Sequence, residues 1–358
     1  MKKRLLLLLG CCLTLTSLSA QHFTLNPLKD VHPGSRELFS FPYLADSSDA
    51  AGRINTWLHG TLLETLPGKF EYSPFERIWP AGTSRQGVVR LGYLVYANND
   101  RYFSLDVSGE YSGIYRAPFS VIHNFDAHSG RPIALEDLFT VQGLKKLQQQ
   151  TVQQRTALLE GFLKTLDTTE YDNADQYHRY TGCLASVKND DLLQDRILLT
   201  GNSLRLIRNS CSSGTENTGD VLGDLENDFG FETLKPWLSA YGRYLFLPEA
   251  TPQYAPEPGK HIRIGVYQGI RDGQPVRIFI EKVYNDDSVR AFCYYNEGTG
   301  RVDLQTERKP DGSYEFREIG PDQKTVTGIF RLKYNGLYRL EGNWHTPSHA
   351  TVYRVAFY

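Results

Sequence analysis

The chain has 358 residues and a formal charge of −2, with acidic and basic residues mixed along its length, so it offers no basic face for nucleic acid. Aromatics are plentiful, with 22 Tyr and 18 Phe against a single Met, a balance that suits half-buried strands. After the N-terminus no run approaches the roughly 18 apolar residues of a membrane-spanning helix, which excludes a transmembrane span in the mature chain.

Residues 1–20 have the layout of a secretory signal peptide. Met1-Lys2-Lys3-Arg4 is cationic, Leu5 to Leu18 is apolar, and Leu18-Ser19-Ala20 is a small-residue exit before Gln21. This places the mature protein in the periplasm or outside the cell. A second reading is a lipobox, Leu8-Leu9-Gly10-Cys11, which would anchor the protein through an acylated Cys11. Its apolar core would then be only five leucines, so simple export is preferred.

The mature chain divides into an α+β domain over residues 21–247, a Pro-rich linker over 248–259 and an all-β domain over 260–358. In the first domain Leu38-Phe39-Ser40-Phe41 reads as a strand. Asp46 to Leu66 reads as a helix capped by Ser47 or Ser48, with Ile54, Trp57, Leu58, Leu62 and Leu66 on one face. Strands Gly87 to Ala97 and Arg101 to Glu110 follow, joined at Asn98-Asn99-Asp100, then Phe119 to Phe125. A helix is expected from Leu144 to about Leu166, strands at Asp195 to Leu199 and Ser203 to Ile207, and a short helix from Glu232 to Tyr241. Elements that do not alternate strictly suggest helices packed on antiparallel sheet.

Four prolines between Pro248 and Gly259 cannot supply the donors of a sheet or helix, so this stretch is expected to act as an extended hinge. Beyond it come eight strand-like runs, near 261–269, 274–284, 287–295, 301–307, 312–319, 324–334, 337–345 and 350–358. Turns such as Asp272-Gly273 and Asn335-Gly336 separate them, and no helix intervenes. The pattern predicts an up-and-down antiparallel domain closed as an eight-stranded barrel, with Val276, Ile278 and Ile280 pointing inward.

Three cysteines remain after export. Cys183 and Cys211 lie in one segment beside polar loops and are expected to form a disulfide; Cys293, within an apolar strand, is expected to be a buried thiol. No Cys-x-x-Cys spacing, Gly-x-Ser-x-Gly elbow, His-Glu-x-x-His or phosphate-binding loop occurs, so neither a catalytic residue nor a metal or cofactor site is assigned. His123 and His128 project to opposite faces. Ser210, Ser212 and Ser213 lack a partner His. Asp190-Asp191 and Glu136-Asp137 are carboxylate pairs that a glycan hydrolase could use, but for Glu136 and Asp137 helix capping is the simpler account. The candidate contact residues are Tyr111, Tyr115, Arg116 and Trp344; for Trp344 a place in the core is the commoner fate of a lone Trp on a late strand.

The stretch Asn124-Phe125-Asp126-Ala127-His128-Ser129-Gly130-Arg131-Pro132-Ile133-Ala134-Leu135-Glu136-Asp137-Leu138-Phe139 resembles an exported module. That module occurs in the extracellular part of RsiV-type anti-sigma factors and beside the catalytic domain of some peptidoglycan deacetylases. The shared pattern is a strand ending in Asp, a Gly-Arg or Gly-Lys turn, then Leu-x-Asp-Leu-Phe, and the likeness covers residues 36 to 246. In the RsiV type it implies lysozyme binding; in the deacetylases it implies an accessory role. Gly113-Ile114-Tyr115-Arg116 stands where the family commonly has Gly-Ala-His, so lysozyme binding is not carried over by residue. The last domain is similar to an uncharacterised bacterial β-domain through Thr327-Gly328-Ile329-Phe330 and Gly342-Asn343-Trp344. Together these readings point to a non-catalytic binding protein of the cell envelope, its partner a protein or a cell-wall glycan. The alternatives are an envelope glycan or peptide hydrolase, and a carrier of a small apolar ligand inside the barrel.

Overall fold

The structure, a computed structural model, describes residues 22–32, 37–80, 86–113, 115–189, 191–211, 220–259, 261–295, 300–336 and 338–358. The expected signal peptide and the lipidation reading at Cys11 lie outside the described residues, as do Asp190, Ser212 and Ser213. The N-terminal region is α+β and the C-terminal region is a closed antiparallel barrel of eight strands.

A short hairpin, β1 (Leu28–Val31) with β2 (Leu38–Phe41), leads into α1 (Asp49–Leu62). Ser48 supplies the cap, its Oγ accepting from Ala51 N at 3.2 Å. The apolar stripe Ile54, Trp57 and Leu58 is buried as its spacing predicts. Inside the helix, Asn55 donates to Leu44 O and accepts from Leu44 N, both at 2.9 Å, so this buried amide is satisfied. The helix lies on one face of a sheet of β3 (Gly87–Asn98), β4 (Tyr102–Ser112) and β5 (Arg116–Asp126), through Leu91, Phe103, Leu105, Val107 and Phe125.

The other half of this region holds α2 (Leu135–Leu138), α3 (Val141–Leu163), α4 (Tyr171–Lys188) and a second sheet of β6 (Arg196–Leu199), β7 (Ser203–Arg208) and β8 (Leu225–Gly230). Two short helices close it, α5 (Phe231–Leu234) and α6 (Ala240–Phe246). The single helix expected over Glu232 to Tyr241 is therefore two. Pro236 has no N–H to continue the helical ladder, and Ser239 starts a new helix by capping Gly242 N at 2.9 Å.

The barrel runs β9 (Gly265–Arg271), β10 (Gln274–Val283), β11 (Val289–Tyr295), β12 (Val302–Arg308), β13 (Tyr314–Ile319), β14 (Val326–Tyr334), β15 (Leu340–His345) and β16 (Val352–Phe357). Each strand pairs with the next, and β16 closes on β9 at Phe357 and Gly269. Val276, Ile278 and Ile280 face inward and are fully buried. Tyr267, Tyr314, Phe316, Phe330 and Phe357 join them in the buried apolar core of the barrel.

The hinge expectation is corrected by the packing. Residues 248–259 carry no helix or strand, yet the barrel is seated on the α+β region. Phe279, Phe292, Tyr294 and Val266 point out of the barrel into the same hydrophobic cluster as α1. The Phe279 ring stacks on Trp57 at 6.3 Å, and Tyr294 Oη donates to Gly60 O at 3.1 Å. Gly60 is required at this contact, because a Cβ there would lie 2.4 Å from the Phe279 ring. The start of the Pro-rich strap is pinned by Arg101, whose guanidinium donates to the carbonyls of Leu247 at 2.6 Å and Pro248 at 3.0 Å.

Candidate functional site at the junction of the two regions

A cleft of about 620 Å³ opens where the barrel meets the α+β region. One wall is the segment from Ile133 into α2; the second is the 3-10 turn Leu192–Gln194 with the start of β6. The third is the lead-in to β9 and the end of the β10–β11 hairpin. A register shift between Ile280 and Lys282 skews the end of β10, and Asp287, at φ +63°, turns the chain back into β11.

The charges of the cleft are mostly spoken for. Asp137 Oδ1 accepts from Arg263 at 2.6 and 3.1 Å, and the two side chains are only 6 and 10% exposed. Burial pushes the Asp137 carboxyl up to about 6, outweighing the opposing pull of Arg263. Burial also works against the Arg263 charge, but Asp137 and the tyrosines Tyr338 and Tyr334 hold it above its usual value. The partners respond differently because the desolvated carboxylate is not fully repaid by one guanidinium shared with Glu257 O. Asp195 is paired with the buried Arg155 at 2.7 Å, Glu281 with Arg290 at 2.8 Å, and Asp287 with His261 and Arg308. Glu136 and Asp191 have no ion-pair partner among the described residues. Glu136 is exposed at the cleft wall, yet the surrounding protein still desolvates its carboxyl. That desolvation raises its carboxyl pKa, its own backbone N–H and Arg263 oppose the rise, and Asp191 adds to it.

The segment 124–139 that carried the resemblance is the joint of the whole α+β region. Asn124 ties the two sheets together, donating to Ile197 O at 2.8 Å and accepting from Leu199 N at 3.1 Å and Ser104 Oγ at 2.8 Å. Asp126 accepts from Tyr241 Oη at 2.9 Å. Gly130, at φ +68°, lies against the backbone of Ala50, where a Cβ would clash at 2.3 Å. The Arg131 guanidinium sits 3.8 Å over the Tyr338 ring of the barrel, with Arg263 5.3 Å from the same ring. The pattern is thus explained by architecture: nearly every second residue makes a tertiary contact.

The sequence candidates fare unevenly. Cys183–Cys211 is a disulfide with Cα atoms 5.6 Å apart, and Cys293 is a buried thiol. Trp344 is corrected as a contact residue: it is 7% exposed in the barrel, its ring flanked by Arg271 at 4.5 Å and Tyr353 at 5.8 Å. Tyr111, Tyr115 and Arg116 lie exposed at the β4–β5 end and do not line the cleft. Glu136 and Asp137 do stand in the first turn of α2, and Asp137 is in addition bound to Arg263. Asp191 does cap, its Oδ1 accepting from Leu193 N at 2.9 Å. His123 Nδ1 accepts from Trp57 Nε1 at 3.3 Å, while the His128 ring packs on Tyr254 at 4.4 Å. Ser210 N donates to Asp224 at 2.9 Å. Arg263, Tyr338 and Arg155, which organise the cleft, were not singled out in the sequence; nothing local marks them.

No protein-family model and no curated relative matches the sequence. Among solved structures, a member of the DUF3298 family from Bacteroides fragilis is similar over 62% of this chain and 94% of its own, at 14% identity and a TM-score of 0.39. A DUF3298 family protein from Pseudomonas aeruginosa is similar over 63% of this chain and 96% of its own, with the same identity and score. Neither is described as an anti-sigma factor or a deacetylase, and no functional argument is taken from the likeness.

Proposed function

We propose that this is a non-catalytic binding protein of the cell envelope that holds a segment of a partner protein in the cleft between its two regions. The observation that carries this reading is the pair Glu136 and Asp191, uncompensated among the described residues, beside the 40% exposed Leu193 in a recess of about 620 Å³. Carboxylates next to apolar surface suit a basic side chain whose stem packs while its charge pairs. The Cys183–Cys211 bridge is consistent with an oxidising compartment, where the signal-like N-terminus would deliver the chain. The test is a binding titration of the full chain against several lysozymes and soluble peptidoglycan fragments, with wild type and E136Q/D191N. A protein partner should bind with a steep salt dependence and weaken about tenfold in the double variant. Absence of binding at micromolar concentrations removes the proposal.

A hydrolase is the second reading, favoured by one observation: the Glu136 and Asp137 carboxyls are both raised by burial in the cleft. Against it, Asp137 is locked to Arg263 through a buried ion pair. Turnover of labelled peptidoglycan that is lost in E136Q would establish the enzyme reading in place of the binding one.

A further inference from the structure

A shallow groove of about 550 Å³ lies between α3 and Trp237. Its floor is unusual for a surface helix. From Val141 to Leu159 the helix carries no Asp or Glu, although exposed helices commonly alternate acids and bases at i,i+4. In their place stand Gln149, Gln150, Gln153 and Gln154, with Lys146 as the one charge in the groove. Pairs at i,i+4 put these amides in two rows about 6 Å apart along the helix.

Two features make this more than a solvated face. Gln154 is held at the end of a buried relay: its Oε1 accepts from Asn227 Nδ2 at 2.8 Å, and Asn227 Oδ1 accepts from Arg155 Nε at 2.7 Å. Arg155 is in turn fixed by Asp195. The amide oxygen of Gln154 is thereby committed, leaving its N–H groups for the groove. The Trp237 backbone is held as firmly. Its N donates to Leu234 O at 2.8 Å, and its carbonyl accepts from Thr140 N at 3.0 Å. Gly143 permits that approach, since a Cβ there would lie 2.0 Å from the Trp237 carbonyl. The indole is half-buried against the core cluster, so one part of it remains at the groove.

We propose that this groove is a binding site for a neutral oligosaccharide, separate from the junction cleft and sharing no residue with it. The half-buried Trp237 indole offers an apolar face to a pyranose ring, and amides both donate and accept, as sugar hydroxyls and acetamido groups require. Among the described residues the groove has no carboxylate and one lysine, which favours an uncharged chain over an anionic one. Rigid support for Gln154 and Trp237 lowers the ordering cost of binding.

The test is a titration of the full chain with N-acetylglucosamine tetrasaccharide, followed by NMR of the Trp indole and Gln side-chain amides up to about 10 mM sugar. The Trp237 indole and the groove glutamines should shift together. Q149A/Q153A, which alters only exposed side chains, should weaken binding about fivefold without changing the melting temperature, and W237A at least about tenfold. No shift at the highest concentration overturns the site. So do shifts confined to the junction cleft, or an affinity that Q149A/Q153A leaves unchanged. None of these outcomes bears on whether a protein partner binds at Glu136 and Asp191.

Discussion

Two histidines show how single residues set the pH response of the fold. His59, 1% exposed in α1, has neither ring nitrogen hydrogen-bonded among the described residues and packs edge-on against Phe41 and Tyr43. Burial lowers its pKa from 6.5 to about 4. His123 is lowered to about 4 for the same reason. The unfolded chain takes up these protons near pH 6.5 and the folded one only near 4, so stability is full above pH 6.5 and declines as pH falls between those values. For His59 alone the loss approaches about 3 kcal/mol by pH 4. Thermal unfolding from pH 7 to 4.5 should show a falling midpoint, and H59L should flatten the slope; equal slopes in the two proteins would remove the assignment. Residue types of this kind were legible in the sequence, but their partners were not. Asp137 reads as a capping acid until Arg263, 126 positions away, is brought to it.

At the scale of elements, the barrel was the most legible part. Its strands alternate inward and outward residues and end at Gly, Asn and Asp turns, so all eight were recognisable from the sequence to within a few residues. The helix α4 was not, because Asn, Asp, Thr and Gly weaken its intrinsic preference. It forms through tertiary contacts. Tyr180 is fully buried, its ring 4.8 Å from Phe162 of α3 and its hydroxyl bonded to Asp220, and Cys183 ties the helix to the strand side of the sheet. The bridge closes a loop across 28 positions, worth about 3.5 kcal/mol in the chain-entropy account. Reduction with dithiothreitol, or C183S/C211S, should therefore increase hydrogen exchange in α4 and the β7–β8 sheet while the barrel amides stay protected. Uniform loss of protection across the chain would contradict a local role.

For the whole molecule, the sequence suggested two bodies on a hinge and the structure has one body with a strap. Outward residues of a barrel strand are ordinarily wet, and the signal that these are not lay in Ala291-Phe292-Cys293-Tyr294-Tyr295, an apolar run without alternation. Such a run marks a strand buried on both faces, here by the barrel core and by α1. The junction cleft was invisible for the same reason, since it exists only after docking. Limited proteolysis within the exposed strap at 250–258 should yield two fragments that co-elute on gel filtration. Fragments that separate without denaturant would restore the hinge.

The seat of the barrel on α1 also limits how this polypeptide can be cut or shuffled. Released alone, the C-terminal piece would present Val266, Phe279, Phe292 and Tyr294 to water as one greasy flank. Self-association is the expected fate of such a fragment, so the barrel is ill suited to transfer as an independent cassette onto other proteins. Its inheritance is tied to a helix encoded more than two hundred codons upstream.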